Sequence, residues 1–290
     1  MVVSTKGKMI RSVLTVLCVS IGITMLLPLI WMLSTSFKYE ADVFTFPIEW
    51  IPKRTVKFDN YKEVWGKTYR FGTYYWNSIK ITVISTALQL LISAMGAYGF
   101  TKIKFKGRDK LFLLYLATMM IPHQVTIVPQ FLILRGMKLY NTHLGIILML
   151  TFSVYGVFLL RQNIMTLPDS LCESAKIDGA GHFQIFTYIV LPLIKPALAT
   201  LAILKFVWTW NDYQTPLILL NKRALYTIQL GMRMFATESG SYYALIMAAA
   251  VSATIPLILM FLLGQRHVIE GIAAGAVKGL SLIHISEPTR

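Results

Sequence analysis

Six apolar runs, each long enough to cross a lipid bilayer as a helix, constrain this chain more than any other feature. They cover residues 13–33, 78–100, 111–134, 142–160, 197–220 and 242–264. The first holds 21 residues, and at about 1.5 Å per residue it reaches roughly 30 Å, the thickness of the hydrocarbon layer. Lipid offers no partner to a bare backbone N–H or C=O, so such runs fold as helices that satisfy themselves. The expected fold is therefore all-α and polytopic, with six transmembrane helices. Composition agrees, because 56% of the 290 residues are hydrophobic and 14% charged, more apolar than a soluble core requires.

The formal charge is +15, which in a soluble chain would suggest nucleic acid. Here the basic residues stand in short clusters beside the apolar runs, the pattern of membrane-flanking charge, and no nucleic-acid partner is expected. Lys102, Lys104, Lys106, Arg108 and Lys110 form the densest cluster, which predicts a cytoplasmic loop there. With six spans, both termini are then cytoplasmic. Residues 1–12 form the N-terminal segment, 161–196 a long inner loop and 265–279 an inner tail. Overall counts are nearly even, 13 Lys and Arg inside against 12 outside, so local density decides the orientation. Residues 280–290 do not continue the tail's character and read as an appended, non-native stretch. Cys18 and Cys172 show no CxxC spacing, and His123 has no neighbouring ligand, so neither a disulfide framework nor a metal site is expected.

Individual runs carry further signals. The first is too long for the core of a cleaved secretory signal, so an uncleaved helix is expected. Residues 34–76 are rich in Trp and Tyr, as at a lipid interface. Ala94, Gly96, Ala97 and Gly99 give the second run a small-residue face for close helix packing. Pro122 and Pro129 interrupt the third, either as a kink buried in the bundle or as part of a polar transport path. In the fifth, Lys205 and Asp212 are placed on one helix face, with Lys205 snorkelling to the inner end and Asp212 facing a bundle or a wet cavity. Trp208, Trp210, Asn211, Asp212 and Tyr213 bring rings and hydrogen-bonding groups together and could line a solute path. A structural polar cluster between helices is the competing account.

The polar loop 161–196 holds the most informative pattern. Thr166 and Asp169 are spaced as a capping box around Pro168, predicting a helix start. Leu171, Ala175 and Asp178 share one face. Gly179 and Gly181 end that helix and permit left-handed backbone. Phe183, Phe186 and Ile189 begin a second apolar-patterned piece leading to Leu191 and Pro192. Two short helices around a glycine turn can present a surface to a soluble protein, or can simply connect two spans. No GxxxxGK[ST] occurs, so the chain has no P-loop for ATP.

The stretch Glu173-Ser174-Ala175-Lys176-Ile177-Asp178-Gly179-Ala180-Gly181, followed by Ile189, Leu191 and Pro192, resembles the EAA loop of ABC-importer permeases. Ser174 departs from the usual Ala, while Asp178-Gly179-Ala180 matches outright. Asn141-Thr142, Trp210-Asn211-Asp212, Pro216-Leu217 and Gly275-Ala276-Val277-Lys278-Gly279 are similar to the carbohydrate branch, in particular its shorter six-helix permeases. The resemblance implies that residues 173–181 with Leu191 and Pro192 form a cytoplasmic coupling helix seated in a groove of an ATPase subunit. It implies that Gly275, Ala276, Lys278 and Gly279 contact the ATPase dimer. The implied partners are a second permease, an ATPase dimer and an extracytoplasmic solute-binding protein touched by the outer loop 221–241. The chain itself would bind no cofactor, with ATP and magnesium held by the ATPase subunits, and would sit in the inner membrane of a prokaryote. Two rivals are weaker. An ion-driven transporter needs intramembrane carboxylates, and only Asp212 qualifies. A membrane enzyme needs a catalytic constellation that the sequence does not show.

Overall fold

In a computed structural model, the chain is described over residues 5–54, 58–237 and 240–277. Fourteen α-helices are found among those residues. They are α1 (Thr5–Thr35), α2 (Asp59–Trp65), α3 (Phe71–Lys102), α4 (Arg108–Ala117), α5 (His123–Gly136), α6 (His143–Thr151) and α7 (Val154–Met165). Next come α8 (Asp169–Ile177), α9 (His182–Gln184), α10 (Leu191–Leu193), α11 (Lys195–Trp210), α12 (Gln214–Leu219), α13 (Ile228–Gly231) and α14 (Tyr243–Val277). One two-residue antiparallel ladder pairs Ala236–Thr237 with Gly240–Ser241.

Three helices are long and apolar enough to cross a membrane unbroken: Arg11–Thr35, Phe71–Lys102 and Tyr243–Gln265. Three bent pairs, Arg108–Met120 with His123–Gly136, His143–Thr151 with Val154–Met165, and His182–Leu193 with Lys195–Trp210, bring the count to six when each pair is one span; the last begins within the expected loop 161–196 and ends before the expected limit at 220. The third run bends by 101°. Pro122 drives this, because it excludes Ile121 from helical backbone, and Ile121 is extended (φ −83°, ψ 116°). That is a break rather than the kink expected from sequence. The fourth run bends by 41° at Phe152, and Ser153 restarts it by accepting from the Gly156 N–H at 3.0 Å. The α9–α10 stretch, which contains a π-helical segment at Ile185–Val190, meets α11 at 76°.

The chain divides into two compact units, Met1–Gly72 with Gly231–Ile255, and Thr73–Leu230 with Pro256–Arg290. In the first, Asn60 Nδ2 donates to the Ser36 and Lys38 carbonyls at 2.9 and 2.8 Å. The Glu40 carboxylate accepts from the Tyr243 and Ala244 N–H groups at 2.8 and 2.9 Å, so it caps the open start of α14. The rings of Trp65, Phe71 and Phe235 pack together beside it.

In the second unit, Ala94, Ala97, Tyr98, Val157, Leu160, Ile164, Ile185 and Leu201 form the centre of a buried core that joins α3, α7, the π-segment and α11. Small residues allow this approach. Gly96 faces Val157, and a methyl placed on Gly156 would sit 2.6 Å from Ser93 Oγ. Gly99, by contrast, meets open space. One feature was not read from the sequence: Asn77, Ser78, Thr82, Ser85, Thr86, Gln89 and Ser93 are all buried, at spacings that hold them near one stripe of α3.

The fifth run also departs from expectation. Its helix stops at Trp210, so Asp212 lies beyond it and does not share a helical face with Lys205. Asp212 instead accepts from the Thr215 N–H at 3.1 Å at the start of α12. Lys205 does not snorkel. It is 7% exposed and donates to the Leu150 carbonyl at 2.7 Å. That carbonyl lies in the last turn of α6, where the bend removes the next helical donor.

Gly156→Ala should lower the thermal unfolding midpoint of the detergent-solubilised protein, on the order of 1–3 kcal/mol of overpacking. Ser93→Ala in the same chain should restore much of the loss, and Gly99→Ala should be near neutral. An undiminished midpoint for Gly156→Ala would contradict the packing.

Candidate coupling site

The polar loop 161–196 contains a compact knuckle, and its geometry follows from one residue. Gly179 has φ +84°, in the left-handed region that disfavours side chains. The Ala180 N–H donates to the Ala175 carbonyl at 2.8 Å and the Gly179 N–H to the Lys176 carbonyl at 3.0 Å. This is a Schellman ending, in which the last carbonyls of α8 are satisfied as the chain reverses. Gly181 plays a different part from the one expected. Its φ is −74°, and its N–H donates to Gln184 Oε1 at 2.8 Å as the start of α9. The expected Thr166–Asp169 capping box is absent too. The helix starts after Pro168, and the Thr166 hydroxyl donates back to the Asn163 carbonyl at 2.7 Å.

The knuckle is fastened from beneath and open above. Cys172 is buried, and Ala175, Ala180 and Leu191 pack against the core of the second unit. Tyr98 Oη and His182 Nδ1 share a hydrogen bond at 3.0 Å. Lys102 Nζ donates to the Leu167 carbonyl at 3.1 Å and to Asp169 at 2.6 Å. The neighbouring ammonium holds the Asp169 carboxyl below its ordinary range, so this contact is present at neutral pH and is lost as the pH falls through that lowered value. The last carbonyls of α3 are also met by cations: Arg161 Nε donates to Phe100 at 3.3 Å and Arg108 to Thr101 at 3.0 Å. Part of the basic cluster expected only to flank a membrane thus ties the end of α3 to the loop.

On the open side, Glu173, Ser174, Lys176, Ile177, Asp178, Gly179 and Gly181 are exposed, and Pro192 with them. Ile177 is 86% exposed, with Phe183 and Tyr188 at 73% and 80%. Such apolar side chains beside charged ones make a surface suited to a protein partner. A concavity of about 280 Å³ lies between the helices, lined by Asp178, Gly179, Gln184 and Tyr188 among others. Sequence reading missed Tyr98, Lys102 and His182, whose roles depend on residues more than 60 positions away.

The other sequence-selected residues separate. Trp210 is 1% exposed and stacks on Phe206 with ring centroids 5.8 Å apart, so it is a core residue of the second unit. Trp208 is 57% exposed and touches the Tyr155 ring. Asn211 is exposed, accepting from Gln229 at 3.2 Å, while Asp212 is half-buried and Tyr213 exposed. Gly275 and Ala276 continue α14 as helix. Lys278 and Gly279 lie outside the described residues, as do residues 280–290.

Residues 89–272 match the family described as "Binding-protein-dependent transport system inner membrane component". The knuckle lies inside that match. The arabinooligosaccharides transport system permease protein AraQ of Bacillus subtilis (strain 168) is 32% identical over 270 residues, covering 93% of this chain and 96% of that one. The melibiose/raffinose/stachyose import permease protein MelC of the same strain is 32% identical over 271 residues, covering 92% and 96%. A chain from a crystal structure of a bacterial ABC transporter involved in the import of the acidic polysaccharide alginate superposes with a TM-score of 0.81. It is 25% identical and covers 91% of this chain and 98% of that one. A break-rich bundle, a knuckle held to α3 with its tip exposed, and these full-length likenesses agree: this chain belongs to the family of binding-protein-dependent transport-system inner membrane components.

Proposed function

We propose that the chain is a permease subunit of an ATP-driven importer for a carbohydrate, and that it passes its substrate by alternating access. The observation that carries this reading is the exposed tip at Ile177–Gly181, fastened to α3 from below. A tip built this way can receive force from a soluble partner and pass it into a membrane-length helix. In this reading the partner is an ATPase dimer holding ATP and Mg²⁺, and the chain performs no chemistry itself. Residues 173–181 with Leu191 and Pro192 are its coupling surface, and the tail around Gly275, Ala276, Lys278 and Gly279 adds a second contact. The knuckle and both termini are cytoplasmic, in the inner membrane of a prokaryote. A second permease and an extracytoplasmic solute-binding protein complete the assembly. That assembly is supported by a likeness to an alginate transporter solved with an alginate-bound periplasmic protein, although at 15% identity that likeness concerns fold.

The relatives' names support a carbohydrate substrate, from arabinooligosaccharides to melibiose and raffinose. Within this chain, Trp208, Asn211, Asp212 and Tyr213 are the proposed polar and aromatic edge of the path. Trp210 supports them from the core.

Gly179→Asp sets a side chain at φ +84° and a second carboxylate beside Asp178. Strain and like charge together are on the order of 1–3 kcal/mol, or roughly 5–150-fold weaker ATPase recruitment. The protein should still reach the membrane while sugar uptake falls accordingly. Unchanged uptake and ATPase recruitment in that variant would remove the coupling role. Energy supply is a separate check. Vesicles holding the assembled transporter should take up sugar with ATP inside the coupling-surface compartment, and should not with a proton gradient alone. Uptake driven by the gradient without ATP would replace this reading with an ion-driven one.

A further inference from the structure

We infer that residues 44–51, which connect α1 to α2, form an interfacial anchor whose exposed apolar side chains enter the headgroup region of the lipid bilayer. The inference needs only that α1 and α14 span a membrane, and it stands apart from the transport reading.

The segment's depth is marked twice within the first unit. The first mark is on α1. From Arg11, a hydrocarbon layer of about 30 Å ends at about residue 31 at 1.5 Å per residue. Trp31 therefore sits at the boundary. The ring of Trp50 meets that of Trp31 edge-on at 5.6 Å, so the loop folds back to this level. Lys38 locks the arrangement. It is 1% exposed, lies 4.2 Å over the Trp31 ring and donates to the Glu49 carbonyl.

The second mark is on α14. Tyr243 is the first residue of the Tyr243–Gln265 span, so it too lies at a boundary. Phe44 meets its ring at 4.9 Å, and Glu40 caps the same helix end. One short segment thus touches two membrane-length helices close to their ends.

What the segment shows outward fits a lipid surface. Phe46 is 97% exposed, Ile51 82% and Ile48 58%. Such side chains facing water would be costly at about 25 cal/mol per Å². At the depth of Trp31 and Tyr243 they meet acyl chains and headgroups instead. Lys53 is paired with the Glu49 carboxylate at 2.7 Å, which offsets that acidic charge within the segment, and Arg54 follows as a cation that can reach a lipid phosphate while its stem covers apolar surface. Tryptophan at the boundary, with exposed bulky apolar groups and a cation in the same short segment, is a composition that a bilayer interface favours.

Site-directed spin labelling tests this in the intact complex, purified with its associated subunits and reconstituted in phosphatidylcholine–phosphatidylglycerol vesicles. Cys18→Ser provides the background chain, because Cys172 is buried. Labels are placed at Phe46→Cys and Ile51→Cys, with Leu26→Cys as the lipid reference and Lys62→Cys as the water reference. At 46 and 51, collision with oxygen should exceed collision with a water-soluble nickel chelate several-fold, as at 26. Nickel dominance, as at 62, would overturn the inference in favour of a water-facing loop. Exclusion of both reagents would also overturn it, since a protein partner would then cover the segment. If a labelled chain fails to accumulate, Phe46→Trp in bromine-substituted lipid gives the same reading. Quenching of the added fluorescence supports the anchor, and no quenching refutes it.

Discussion

Every feature of this chain follows from the demand that backbone polar groups find partners where lipid offers none. Continuous helices such as α1 and α3 meet it by themselves. The bent pairs cannot, and at the bend of the fourth run the chain supplies two remedies. Ser153 caps the restart of the fourth run, and the Lys205 ammonium reaches the Leu150 carbonyl beside the same bend. An ammonium there is worth holding because a buried, unpartnered carbonyl costs roughly 1–3 kcal/mol. The polar stripe of α3 has the same logic, with Asn77 donating to the Ala224 and Tyr226 carbonyls and Ser78 accepting from the Ile228 N–H.

The knuckle obeys that demand at the water-facing end. Its Schellman turn satisfies the last carbonyls of α8 internally, so they need no hydrogen-bond partner from the body of the protein. The tip is then free to carry charge and exposed apolar groups. Its base is different: Tyr98, Lys102 and the small residues Ala175 and Ala180 bind it to α3 and the core. In the proposed coupling role, a fastened base with an exposed tip is what would let displacement at one move the other.

Much of this was legible in the chain. Apolar run lengths gave the membrane-length helices, and Pro122 marked where one run breaks. Gly179 was legible because a left-handed helix ending needs a residue without Cβ. Gly181 was misassigned for the same reason, since a glycine two positions on can equally begin a helix. The bend at Phe152 carries neither proline nor glycine, so nothing local announced it. From the chain alone Lys205 is a snorkelling cation, because the carbonyl it serves, 55 positions away, is freed only by that bend. Trp208 and Trp210 were grouped by adjacency, yet two residues on a helix point to different sides, one outward and one into the core.

The carboxylate of Glu40 closes the start of α14 across 203 residues of chain. At a synthesis rate of about 5–20 residues per second, that partner emerges roughly 10–40 s after Glu40 does. During that interval α1 and the loop after it are already made, with the capping contact still absent. The assembly of this unit is thus timed by the arrival of the last helix, and translation pausing or premature termination late in the message would strand its earliest segment half-built.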